Sequence, residues 1–221
     1  PEVEVALEDG ISTLLREPQL YDAIVNTVTS PQYYSAAKLY TRDFYDIVKS
    51  RLAPGGVYSG WFDVNIDREG IAIMLNTLEA SFAQCRYFLL TGGYFNAVCS
   101  DGPLLYLPAE TVADRLADTE IDTLFARYGF SGGLRTTMSA LELDFAPRFF
   151  ERGTDLLNTL DHPAIEFVVA RERDATETMT RLGDMIASNI EFQHRTGFGS
   201  EAWRHNCRTL SQMSGLAFSG C

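Results

Sequence analysis

The chain has 221 residues, of which 46% are hydrophobic and 22% charged, enough for one sizeable core and unlike a disordered segment. With 18 Lys and Arg against 30 Asp and Glu, the formal net charge is −12. This excludes a protein that follows nucleic-acid phosphates through a basic face and suits either a cationic partner or plain solubility. No apolar run reaches the roughly 18 residues that a membrane-spanning helix needs.

The opening Pro1-Glu2-Val3-Glu4 is strand-like and acidic rather than a secretory leader, and a first residue other than Met points to processing or a fragment. Val3 to Leu7 alternates and stops at Glu8-Asp9-Gly10, which predicts a strand entering a βα turn. Ile11 to Arg16 follows as a short helix closed by Pro18. Asp22 to Val28 is a short, β-branched run that predicts a buried strand. A loop then runs through Thr29, Ser30, Pro31, Gln32, Tyr33 and Tyr34.

Thr41 to Leu52 predicts an amphipathic helix, with Phe44, Ile47, Val48, Arg51 and Leu52 at helical spacing. Thr41 is placed to cap it and Asp43 lies in its first turn. Pro54-Gly55-Gly56 ends it. Val57 to Val64 is the next strand, with Trp61 in it. Asp67 to Phe82 is a second helix, with Ile71, Met74, Leu75, Leu78 and Phe82 on one face. Arg86 to Leu90 and Tyr94 to Cys99 then predict a strand pair around Gly92-Gly93. This alternation predicts an α/β fold with a mostly parallel sheet, because parallel neighbours need a crossover helix.

Beyond Pro108 the pattern turns helical: Ala109 to Leu116, Glu120 to Tyr128, Arg173 to Gln193 and Ala202 to Leu216, with Ile165 to Ala170 as one more short strand. The chain divides into 1–108, an α/β unit; 109–170, a helical segment completing it; and 171–221, a helical tail. Met179, Leu182, Met185, Ile186 and Ile190 form an apolar stripe on that tail, which serves either docking to another chain or packing on its own domain. Cys85, Cys99, Cys207 and Cys221 make no CxxC and no zinc spacing. They are expected to be reduced thiols, with Cys85 and Cys99 in the core, and no metal site is expected.

Tyr21-Asp22-Ala23-Ile24-Val25, then Leu39-Tyr40-Thr41-Arg42-Asp43-Phe44-Tyr45, then Leu52-Ala53-Pro54-Gly55-Gly56-Val57 occur in an order and spacing that resemble the spermidine and spermine synthase family. Asn158-Thr159-Leu160-Asp161-His162-Pro163-Ala164-Ile165-Glu166-Phe167 and the distance from Pro31 to Leu39 are similar to bacterial members fused to membrane segments. The resemblance covers roughly residues 1 to 170. It implies the C-terminal part of a Rossmann-like, S-adenosylmethionine-dependent methyltransferase type of domain. It also implies polyamine aminopropyl transfer with decarboxylated S-adenosylmethionine as co-substrate, and no tightly bound cofactor. The family's upstream Gly-rich nucleoside loop has no counterpart in these residues.

In aminopropyl transfer a neutral amine attacks a sulfonium donor, so a carboxylate is needed to take or hold the amine proton. Where the family's loop reads Asp-x-x-Asp-Pro, this chain has Thr27, Val28, Thr29, Ser30 and Pro31. A hydroxyl is a poor base at neutral pH, so the expectation is a synthase-like domain with degraded or absent catalysis. The alternative is a non-catalytic assembly subunit, a pseudoenzyme on the synthase fold. Asp9 and Gly10 are the nucleoside-binding candidates by resemblance, Asp9 being equally readable as a helix cap. Thr27, Thr29 and Ser30 line the expected cleft or make simple turn chemistry. Thr29, Tyr33, Tyr40 and Trp61 are the substrate-binding candidates, the aromatics as walls of an amine channel or as packing residues. Asp161 and His162 are either an acid–base pair or a turn. The implied partners are a polyamine and other protein chains through 171–221. Nucleic acid is not expected, and a membrane only through other residues or subunits. The expected compartment is the cytoplasm, with association on the cytoplasmic side of a membrane as a variant.

Overall fold

The structure is a computed structural model that describes residues 4–27, 30–31, 33, 36–63, 66, 68–89, 94–104, 120–127, 142–143 and 153–169. Its elements are helix α1 (Gly10–Arg16), strand β1 (Tyr21–Asn26), a 3-10 turn (Ala36–Tyr40), α2 (Arg42–Arg51), β2 (Leu52–Asp63), α3 (Arg68–Ser81), β3 (Gln84–Leu89), β4 (Tyr94–Ser100), α4 (Glu120–Arg127), β5 (Glu142–Leu143) and α5 (Ala164–Val169). The sheet order is β1-β2-β4-β3-β5.

The α/β class is observed, but the sheet is mixed. Only the β1–β2 pairing is parallel; β2–β4, β3–β4 and β3–β5 are antiparallel. The expectation of a mostly parallel sheet is therefore corrected for the described residues. The reason is connectivity: α2 crosses from β1 to β2, whereas β3 and β4 are joined by a short connection that permits only an antiparallel pair.

Two further expectations change. Residues 4–7 form no strand. β1 is the edge of the described sheet, but residues 4–7 do not pair with it, and Val5 and Leu7 stand exposed. Ile165 to Ala170, read as a strand, is helical over Ala164–Val169. Its β-branched residues favour a strand, but Ile165 and Val168, three apart, are both buried in the core, and α5 packs on α3. The expected helices 109–116, 173–193 and 202–216 and the stripe Met179 to Ile190 lie outside the described residues.

Helices α2 and α3 supply the core against β2. Phe44, Tyr45 and Val48 of α2 join Tyr58 and Phe62 of β2 and Ile71, Met74, Leu75 and Leu78 of α3 in one cluster. Aromatic edges fill it: Tyr45 meets Tyr58 at 5.5 Å between ring centres, and Tyr58 stacks on Phe82 at 5.6 Å. Thr41 caps α2, its hydroxyl accepting from Phe44 N at 3.1 Å. The Tyr45 hydroxyl is buried and has no hydrogen-bond partner among the described residues, a cost of roughly 1–3 kcal/mol that the packing of its ring offsets. Arg51 reaches back from the end of α2, donating to the carbonyls of Leu14 at 2.6 Å and Leu15 at 3.2 Å. This satisfies the open C-terminal end of α1.

α2 ends at Arg51 and β2 already begins at Leu52, so Pro54-Gly55-Gly56, expected to end the helix before a strand from Val57, lies within β2, and its glycines have two different reasons. Gly55 has φ 78°, the left-handed region where only glycine is unstrained. At Gly56 a Cβ would lie 2.9 Å from both the Ala53 and the Tyr21 carbonyl oxygens, where the β1–β2 register shifts between Tyr21 and Ala23. Neither backbone group can swing away as a side chain would. Gly56→Ala is expected to destabilise the protein by about 1–3 kcal/mol, read as a lower urea midpoint with an unchanged slope.

Cys85 and Cys99 face each other across β3 and β4 and are joined in a disulfide. This corrects the expectation of reduced thiols at these two positions. The placement in or beside the core holds: Cys99 is fully buried. Directly opposed residues of an antiparallel pair sit close enough to bond, and that register cannot be read from the 14-residue spacing. Cys207 and Cys221 lie outside the described residues.

Candidate functional site

Because β1 and β2 run parallel, both carboxyl ends open on the same edge of the sheet, where ligands of open α/β sheets bind. β1 ends at Asn26, whose amide donates to the Tyr58 hydroxyl at 3.3 Å. The chain then passes through exposed Thr27 and buried Ser30 and Pro31 into the 3-10 turn that carries Lys38 and Tyr40. Tyr33 N donates to the Ser30 carbonyl at 3.2 Å, and Ala36 N to the Tyr33 carbonyl at 2.9 Å. These bonds link the described residues Ser30, Tyr33 and Ala36 at the entry to the 3-10 turn. Thr29 lies outside the described residues.

Asp9 is the N-cap of α1. Its Oδ1 accepts from Ser12 N and from the Ser12 hydroxyl, each at 2.9 Å. These bonds from Ser12, the backbone one first, hold the Asp9 carboxyl below the usual carboxylate range. The group is therefore an acceptor at neutral pH. Its Oδ2 faces the Lys38 ammonium at 3.8 Å. The capping reading of Asp9 is thus present in the structure, and it leaves the carboxylate exposed beside the end of the loop. Gly10 opens α1 with free space where a Cβ would stand.

The aromatic candidates separate. Tyr33 is 64% exposed and stands at the loop surface. Tyr40 is 1% exposed; its hydroxyl donates to the Trp61 carbonyl at 3.3 Å and its ring meets Phe62 edge-on at 5.6 Å. Burial, with the Tyr58 and Asp63 charges added, pushes its phenol up, so it stays neutral. Tyr40 is a wall of the core, not of an open channel. Trp61 is half-buried at the same end of β2, opposite Asn96. Asp161 and His162 are exposed and form a turn: His162 N donates to the Thr159 hydroxyl at 3.0 Å, and the His162 carbonyl accepts from Thr159 N and Ala164 N.

Three residues of this edge were not singled out from sequence. Lys38 pairs with Asp9. Asp63, at the tip of β2, is 6% exposed; an acid ending an apolar strand was its only sequence signal. Asn158 is fully buried; its amide donates at 3.2 Å to both the Ala37 and Tyr40 carbonyls, its Oδ1 accepts from Ile165 N at 3.2 Å, and its N donates to the Thr77 hydroxyl at 2.8 Å. It clamps the 3-10 turn to α3 and α5. An open hollow of about 570 Å³ lined by Glu79, Phe82, Gln84, Cys85, Arg86 and Leu104 lies at the start of β3, away from this edge. Among the described residues, no three His, Cys, Asp or Glu side chains are grouped to hold a metal, and no helix is long and apolar enough to cross a membrane.

A crossover from β1 through α2 to a parallel β2, with an acid and a loop meeting at the carboxyl edge, defines part of an α/β domain. Residues 1–96 match the model of the spermine/spermidine synthase domain. It is 37% identical over 94 residues to "Polyamine aminopropyltransferase 2" of Pseudomonas aeruginosa, a match covering 41% of this chain and 27% of the relative. The chain spans about a quarter of the length of the curated relative it matches.

Proposed function

We propose that the chain contributes the carboxyl half of a Rossmann-like aminopropyltransferase-type site: it contacts the nucleoside of decarboxylated S-adenosylmethionine and a polyamine, and it transfers poorly or not at all. The observation that carries this reading is the meeting of Asp9 and Lys38, 3.8 Å apart, at the edge where the parallel strands end. That contact joins the nucleoside-side turn to the loop that follows β1. Asp9 is ionised and part-exposed, able to accept from an exocyclic amine, and open space beside Gly10 lets a planar ligand approach. Thr27 and Ser30 stand where the family's loop has acids, so the described loop positions offer no carboxylate to receive the amine proton. A positioned base contributes typically 10²- to 10⁴-fold to proton-coupled steps.

The test is calorimetric titration of the full natural protein with methylthioadenosine, followed by a turnover assay with decarboxylated S-adenosylmethionine and putrescine. Micromolar nucleoside binding, weakened about tenfold or more by Asp9→Ala, is expected. Transfer is expected to be absent or at least about 100-fold below that of a relative with an acidic loop, and to rise in Thr27→Asp, since Thr27 is exposed and accepts a charge. No nucleoside binding at millimolar ligand would overturn the reading and favour a non-catalytic assembly subunit.

A further inference from the structure

The hollow at the start of β3 contains a reactive group that the reading above leaves unused. Alternate residues of a strand share a face, so Cys85 faces the same way as Tyr87. The Tyr87 hydroxyl donates to Glu79 Oε1 of α3 at 3.0 Å. Cys85 therefore points toward the end of α3, where Glu79 and Phe82 form one wall of the hollow. The two halves of the Cys85–Cys99 disulfide differ in access. Cys85 is half-buried and lines the hollow. Cys99 is fully buried and is paired to Tyr58 of β2 on its other side. A thiolate that exchanges with a disulfide must reach one of its sulfur atoms, and in the folded chain the hollow leads to Cys85 alone.

At about 570 Å³ the hollow is open and large enough for a small molecule. Glu79 and Arg86 give its walls charges of both signs, which suits a ligand carrying both an ammonium and a carboxylate. We propose that Cys85 is a reversible S-thiolation site for a low-molecular-weight thiol of amino-acid or short-peptide type, with Cys99 as the resolving cysteine. The thiolate of the small molecule attacks Sγ of Cys85. A new S–S bond joins it to Cys85, the Cys85–Cys99 bond breaks, and Cys99 leaves with the electron pair and takes a proton from water. One disulfide replaces another, so no oxidant or reductant beyond the thiol is consumed. In the reverse step Cys99 gives up its proton, attacks Cys85 Sγ and expels the small thiolate. Cross-strand pairing holds Cys99 opposite Cys85, so resolution is intramolecular and gains from proximity. Burial keeps a second small thiol away from Cys99. This inference stands apart from the synthase reading and uses none of its residues.

The experiment uses the full chain with Cys207→Ala and Cys221→Ala, so that only positions 85 and 99 can react. Cys99→Ala and Cys85→Ala in that background are each mixed with oxidised glutathione at neutral pH without denaturant, quenched in acid and mapped by peptide mass spectrometry. Cys85 in Cys99→Ala is expected to take up glutathione fully, about tenfold or more faster than Cys99 in Cys85→Ala. That adduct should persist after free glutathione is removed. With both cysteines present, reduced glutathione should add at Cys85, and the adduct should close back to the 85–99 disulfide on removal of the thiol. Equal rates at the two positions, or modification that appears only in urea, overturns the site and leaves a purely structural disulfide. If Cys99→Ala does not fold, the protein with both cysteines decides the matter. Opening in proportion to the concentration of reduced glutathione, with the trapped adduct on Cys85, supports the site; opening that requires urea, or an adduct on Cys99, overturns it.

Discussion

Asn158→Ala is expected to cost about 3 kcal/mol or more and to lower the melting temperature by roughly 10 °C, at about 2–4 °C per kcal/mol for a chain of this size. The side chain is fully buried and uses both its donors and its acceptor on backbone groups of two different elements. Alanine leaves the Ile165 N–H without its acceptor and takes one donor each from the Ala37 and Tyr40 carbonyls. Each orphaned buried group costs about 1–3 kcal/mol, and a small cavity adds to it. The backbone bonds of residue 158, from its N to the Thr77 hydroxyl and from Arg42 N to its carbonyl at 2.9 Å, survive the substitution, which keeps the loss finite. Urea unfolding followed by fluorescence and circular dichroism measures it. Since Asn158 holds the turn carrying Lys38 and Tyr40, ligand affinity should fall well below the melting transition. A loss under about 1 kcal/mol would mean that the clamp is replaced by relaxation or water.

The elements with a strong local period were legible in the sequence. Helices α2 and α3 repeat apolar residues every three to four positions, and Thr41 announces the cap that the structure shows. β1 and β2 follow from short β-branched runs separated by one crossover helix, which also makes them parallel. What was not legible is what depends on neighbours. Whether Val3 to Leu7 forms a ladder depends on a strand beside it. Whether Ile165 to Val169 is helix or strand depends on α3, because four apolar residues in a run of five fit either period. Tyr40 reads as an aromatic near a loop, and only the fold shows it turned inward against Phe62. At the site, Asp9 was legible because a turn acid is a local feature. Lys38, Asp63 and Asn158 were not, because their partners lie 29, 23 and 118 to 121 residues away in sequence; no periodicity or motif connects such pairs.

Opening the Cys85–Cys99 disulfide should lower stability by about 3 kcal/mol, the loop-closure entropy for a loop near 15 residues, the two cysteines being 14 apart. The bond ties β3 to β4 one pair in from the end of their ladder, next to the Gln84–Ser100 pair. Cys99 is paired to Tyr58 on its other side, inside the aromatic cluster. Reduction therefore acts mainly on the unfolded chain, which regains the freedom of the connection between the strands, while the native hairpin stays held by β2 and by Phe82. The measurement compares urea midpoints of the oxidised and dithiothreitol-reduced protein. Cys85→Ala/Cys99→Ala serves as a control, and should lose about 1 kcal/mol more for the buried sulfur atoms replaced. Equal stability of the oxidised and reduced forms would mean that the covalent link adds nothing to a register already set by packing. The same pair reads the compartment. Disulfides persist where the surroundings are oxidising and are rare among reduced cytosolic thiols. Trapping free thiols at the moment of lysis and searching for the linked 85–99 peptide therefore tests whether this domain works in the reducing cytoplasm. Recovery of the linked peptide as the main species would place the edge of the sheet bearing Asp9, Lys38 and Asp63 in an oxidising space, and recovery of two alkylated cysteines would place it in a reducing one.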